Sequence, residues 1–162
     1  MGKVVERVLV YLDGSEESIN AAQYAVCLCR SLGAKLYGTF IVNTHALNDL
    51  VKSHIFIESE QLEYQRDLEA DAEKYLRHFE KMAQTKRVEV ETFKESGLVH
   101  VKIKEMVKDL NIDLLVIGEL SRIRSRRDEF YNESERAMRN VSCSVLIVKD
   151  EDRVFDIYEA LE

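Results

Sequence analysis

Apolar residues along this chain follow two spacings: short unbroken runs of Leu, Ile and Val, and positions three and four apart with charges between them. The first marks strands covered on both faces, the second amphipathic helices. The run at 7–12 is a strand, broken by Asp13-Gly14-Ser15. Ser15 is a good N-cap, and Glu16 and Glu17 fall in the first turn, where the helix dipole favours negative charge. The helix places Ile19, Ala22, Val26, Cys29 and Leu32 near one face and stops at Gly33, a predicted C-cap. A strand at 35–42 completes a β-α-β unit, which builds parallel sheets with right-handed crossovers.

From 43 to 60 the pattern is weak, and a loop or a short extra helix fits equally well. A long helix then carries Leu68, Ala72, Tyr75, Leu76, Phe79 and Met82 on one face, with Glu69, Glu73, Lys74, Arg77 and Lys81 opposite. Residues 87–93 alternate as a strand, and Val99, Ile103, Met106, Val107 and Leu110 mark another helix. The chain is organised around the segment from 113 to 148: a buried strand at 113–117, a loop opening at Gly118, a short helix over about 133–141, and a buried strand at 143–148. Five strands alternating with four helices predict an α/β fold with a doubly wound parallel sheet and helices on both faces. In the tail, 150–162, Val154, Ile157, Tyr158 and Leu161 share a helical stripe that either packs on its own domain or faces a partner.

A length of 162 residues with 46% hydrophobic content suits one domain and one core. The net charge of −7 argues against general nucleic-acid affinity, because a phosphate backbone needs a basic surface. No apolar run approaches the roughly 18 to 20 residues of a membrane span, and the N-terminus lacks a signal-peptide pattern, so a cytoplasmic protein is expected. Cys27, Cys29 and Cys143 are an odd count in a chain able to bury a core without staples, which predicts reduced, mostly buried thiols.

The loop after the central strand leaves its carboxyl end, where open α/β sheets hold ligands. Asp13, at the end of the first strand, either accepts hydrogen bonds from a ligand or shapes the strand-to-helix turn. A glycine at 118 permits close approach of backbone to ligand, or a positive φ. Asn132, three before Glu135, is an Asn-initiated capping box, and the helix it starts could receive a phosphate; Glu133 and Glu135 work against that. Arg122, Arg124, Arg126 and Arg127 stand within six residues on an acidic protein, either clamping phosphate, docking an acidic partner or forming a solvated loop. No G-x-S-x-G, C-x-x-C or H-E-x-x-H motif is present, and His45, His54, His78 and His100 are scattered without neighbours that suggest metal or base work.

Taken in order, these pieces resemble the universal stress protein family, UspA type. The likeness spans 5–149 and is carried by Asp13-Gly14-Ser15, Leu32-Gly33-Ala34-Lys35-Leu36, Asp113-Leu114-Leu115-Val116-Ile117-Gly118, Ser134-Glu135-Arg136 and Cys143-Ser144-Val145-Leu146-Ile147-Val148. The resemblance implies a Rossmann-like domain over 1–149 with strand order 3-2-1-4-5, followed by the helical tail. It further implies a homodimer through the last strand and a stress-response role without an established reaction. Family members that bind ATP carry a G-x-x-G, nine residues, G, Ser/Thr loop; here Gly118 starts it, but Ser121, Tyr131 and Asn132 take the remaining places. Side chains at Ser121 and Tyr131 would crowd backbone that must approach a polyphosphate. Asp13 and Val42 match positions that contact the adenosine half in binding members.

The residues support two readings. The first is a non-enzymatic, cytoplasmic, dimeric scaffold in stress response whose nucleotide pocket is degenerate or retuned, with no certain cofactor. The second is an ATP- or AMP-binding switch, ATP arriving with Mg. There Asp13, Val42, Gly118, Ser121 and Asn132 would line the pocket, with Arg124 or Arg126 on phosphate.

Overall fold

The computed structural model describes residues 2–54, 57–120 and 132–162, and only the backbone at 45 and 46. Its elements are β1 (Arg7–Leu12), α1 (Glu16–Leu32), β2 (Lys35–Val42), α2 (Thr44–Lys52), α3 (Glu58–Thr85), β3 (Val90–Ser96), α4 (Val99–Asp109), β4 (Leu114–Gly118), α5 (Glu133–Asn140), β5 (Ser144–Val148) and α6 (Glu151–Ala160). The five strands pair in parallel in the order β3-β2-β1-β4-β5, as the resemblance implied.

Alternation along β1 divides the core. Val8, Val10 and Leu12 join Val26 of α1, Phe79 of α3 and Val154 of α6 on one face; Leu9 and Tyr11 join Ile103 of α4 and Ala137 of α5 on the other. A polar clamp fixes β1 beside β4: Asp113 Oδ2 accepts from the amides of Glu6 (2.9 Å) and Arg7 (3.1 Å). The Arg7 guanidinium returns to the Leu110 carbonyl (3.0 Å).

Both caps of α1 form as expected: the Ser15 side chain accepts from the Ser18 amide, and Gly33 is left-handed at φ 67°. Leu32, predicted on the buried face, is 40% exposed, because the last buried residue of α1 is Cys29 and the helix runs past the core. The third strand begins at Val90, not at 87. Arg87 takes a positive φ of 59° and its amide bonds to Gln84, so this residue belongs to the exit from α3. The undecided stretch after β2 contains a helix, α2, anchored by buried Leu47 and Leu50. The last strand lies at the sheet edge, and Val145, Leu146 and Ile147 are only half-buried, where a strand covered on both faces was expected.

Helix α6 packs on α1 through Val154 and Tyr158. The Tyr158 hydroxyl donates to the Met82 carbonyl (3.0 Å), and the Lys86 ammonium lies 4.7 Å from the Tyr158 ring centre. All three cysteines are free thiols. No described helix is long and apolar enough to cross a membrane.

Candidate functional site

Because every strand is parallel, the segments that follow them start at one edge of the sheet. The crevice between β1 and β4, where the strand order reverses, opens there. Asp13 stands at its β1 side, exposed, with Oδ1 accepting from the Ser15 amide at 2.9 Å and also from the Ser15 hydroxyl. The carboxylate therefore braces the residue that caps α1, a turn role, while Oδ2 has no hydrogen bond within the described residues.

Gly118 forms the β4 side. A Cβ there would lie 2.4 Å from the Glu17 carbonyl oxygen and 2.8 Å from Glu17 Cβ, so the close approach that demands glycine is made by the first turn of α1. Val42 ends β2 with its side chain in the core, and its carbonyl accepts from the Gly97 amide at 3.0 Å. Ser121, Arg124 and Arg126, with Arg122, Arg127 and Tyr131, lie outside the described residues.

Asn132 is the N-cap of α5, but the capping box does not form. Its side chain makes no cap bond; Nδ2 donates to Glu135 Oε2 at 2.8 Å, since φ −81° and ψ 53° are not the extended backbone of an ordinary N-cap. Arg139 and then Asn132 hold the Glu135 carboxyl below its ordinary range.

One constellation was not legible in the sequence. Glu133, in the first turn of α5, is 3% exposed. Its Oε1 accepts from the Arg136 guanidinium (3.0 Å), and Oε2 lies 3.3 Å from His100 Nδ1. His100 thus has the acidic neighbour that its sequence surroundings lack. The signal lay in topology: α4 and α5 cover the same face and begin at the same sheet edge, so their first turns meet. Beside them Tyr11 is buried, and burial first, then the carboxylates of Asp13 and Glu133, push its phenol well above the ordinary value. The crevice floor thus carries two carboxyl groups, exposed Asp13 and buried Glu133, the latter paired with Arg136 and His100.

The sequence model of the universal stress protein family matches residues 5–149. The chain belongs to that family. A universal stress protein of Methanocaldococcus jannaschii is 24% identical over 144 residues, covering 89% of this chain and 82% of the relative. Solved universal stress proteins share the fold. One, solved in complex with cAMP, is 23% identical with a TM-score of 0.66, covering 91% of this chain and 99% of its own. Another, from Arabidopsis thaliana with AMP bound, is 17% identical with a TM-score of 0.64, covering 91% and 94%. The family match stops just before α6 (Glu151–Ala160), which packs into the same core through Val154 and Tyr158.

Proposed function

We infer that this universal stress protein is a non-enzymatic, cytoplasmic, dimeric stress-response protein whose nucleotide pocket is retuned away from polyphosphates. The observation that carries this reading is the buried Glu133 carboxylate at the start of α5, paired with His100 and Arg136. A helix N-terminus attracts an anion through its outward amides and dipole, and here the chain's own Glu133 stands in that first turn, bonded to Arg136 and His100. An incoming phosphate would meet like charge from exposed Asp13 and from buried Glu133, the latter poorly screened by solvent. The half-buried apolar residues of the edge strand β5 support a homodimer through that strand.

The alternative is an ATP- or AMP-binding switch, ATP bringing Mg. Two observations favour it: the fold neighbours solved with cAMP and with AMP, and the Oδ2 of Asp13 at the crevice, which has no hydrogen bond among the described residues. In that reading Asp13, Val42, Gly118 and Asn132 line the pocket, with Ser121, Arg124 and Arg126 completing it.

Calorimetric titration of nucleotide-stripped protein with adenosine, AMP, cAMP and Mg-ATP separates the two. The retuned pocket predicts that Mg-ATP binds no more tightly than adenosine, and that Glu133→Gln strengthens ATP selectively. Preference for Mg-ATP by about tenfold or more, a difference of about 1.4 kcal/mol, would establish the switch reading instead.

A further inference from the structure

On the face opposite His100 and Glu133, the same parallel topology brings together the first turns of α1 and α6. Between these helices runs a groove of about 560 Å³, with Glu16, Ile19 and Asn20 on one wall and Asp152, Phe155 and Asp156 on the other. It adjoins a depression of about 80 Å³ where Glu17, Glu119 and Lys149 join Glu16, Asn20 and Glu151. Six carboxylates, from Glu16, Glu17, Glu119, Glu151, Asp152 and Asp156, thus face one ammonium among the described lining residues. That ammonium, Lys149, lies 3.8 Å from Glu119.

Helix dipoles account for part of this charge, since Glu16, Glu17, Glu151 and Asp152 are first-turn residues. They account for neither Glu119 nor Asp156, which lies in the second turn of α6. They also leave unexplained Asn20, common to both depressions: it is 6% exposed, and its buried Oδ1 has no hydrogen-bond partner among the described residues. A buried acceptor without a donor is a standing cost that an incoming N–H group would relieve.

We propose that this acidic groove binds a Lys- or Arg-rich segment of a partner protein. The charges are distributed, not convergent: among the described residues no three of His, Cys, Asp and Glu stand close enough to hold a metal ion. Spread carboxylates suit an elongated cation with several donors. Ile19 and Phe155, the latter 51% exposed, provide apolar surface between them for the aliphatic stems of such side chains. One wall is α6, which lies outside the residues matched by the family model. It lies on the far side of the sheet from Glu133 and does not depend on the reading of the nucleotide pocket.

The test is fluorescence anisotropy of a fluorescein-labelled oligoarginine peptide with the full chain at about 150 mM salt, where long-range attraction is screened. Asp152→Asn with Asp156→Asn should weaken binding about tenfold, as should Asn20→Leu, whereas Glu58→Gln with Glu63→Gln, an equal loss of charge on exposed α3, should leave it within about twofold. Equal losses from both charge pairs would reduce the effect to net charge and overturn the proposal. So would undiminished binding by Asn20→Leu with a native circular dichroism spectrum, or displacement of the peptide by spermine at equal charge concentration, which would make the site one for small polyamines. Absence of binding to the unmodified chain would overturn it directly.

Discussion

His100 of α4 and Glu133 of α5 are 33 residues apart in sequence, yet His100 Nδ1 lies 3.3 Å from Glu133 Oε2. The histidine is 24% exposed and the carboxylate 3%, so the buried acid depends on its two basic neighbours for compensation. Glu133→Ala should lower stability by about 1–3 kcal/mol, because Arg136 loses one of its partners, His100 loses its acidic neighbour and a cavity opens. His100→Ala should cost less, since Arg136 still holds Oε1. Urea denaturation of both variants and of the double variant measures the coupling; additive effects would show that the two side chains do not interact.

Gly118→Ala should destabilise by roughly 1–3 kcal/mol and disturb the start of α1, because the new methyl would sit 2.4 Å from the Glu17 carbonyl oxygen. Backbone yields less readily than a side chain end. Hydrogen exchange should show lost protection in the first turns of α1; an unchanged melting temperature would contradict the contact.

Burial pushes the Cys29 thiol up to about 12 from an ordinary 9.0, with Asp113 adding a smaller push in the same direction. A raised folded value means that the unfolded chain ionises first. The associated stability is complete below pH 9.0 and drains as pH rises towards about 12. Tyr11, raised by burial and the nearby carboxylates, acts in the same direction above 10.0. Cys29→Ala should flatten the alkaline fall in stability over that window, whatever it does at neutral pH. A slope identical to that of the unmodified protein in denaturation at stepped pH would reject this assignment.

Ile147→Lys, a half-buried position on β5, should convert a dimer into monomers while leaving the circular dichroism spectrum native. Sedimentation velocity reads the outcome. A variant that remains dimeric would move the interface away from the edge strand.

The β-α rhythm was legible because strands buried in a parallel sheet write contiguous apolar runs, as at 8–12 and 114–117. Strand order has no such local record and came through the family resemblance. Helix α2 left only a weak pattern because it is 9 residues long and its hold on the core rests on Leu47 and Leu50, too few turns to write a clear period. The early start expected for the third strand has a clear cause: Val88 continues the alternation of Val90 and Thr92, but it follows a left-handed Arg87 that closes α3. The places of Asp13 and Gly118 at the ends of β1 and β4 were legible from strand position alone, whereas the contact of Glu133 with His100 is a tertiary meeting that neither residue's neighbours announce. The arginines at 122–127 lie outside the described residues.

The clamp from Asp113 to the amides of Glu6 and Arg7 joins segments 107 and 106 residues apart. As the ribosome delivers this chain, β1 can pair with β2 early, but its other edge stays open until β4 emerges. For most of synthesis the central strand thus presents one unpaired edge that could template intermolecular association. Chaperone dependence and the rate-limiting step of refolding should both centre on the closure of β4 against β1, since contacts of such sequence separation form late.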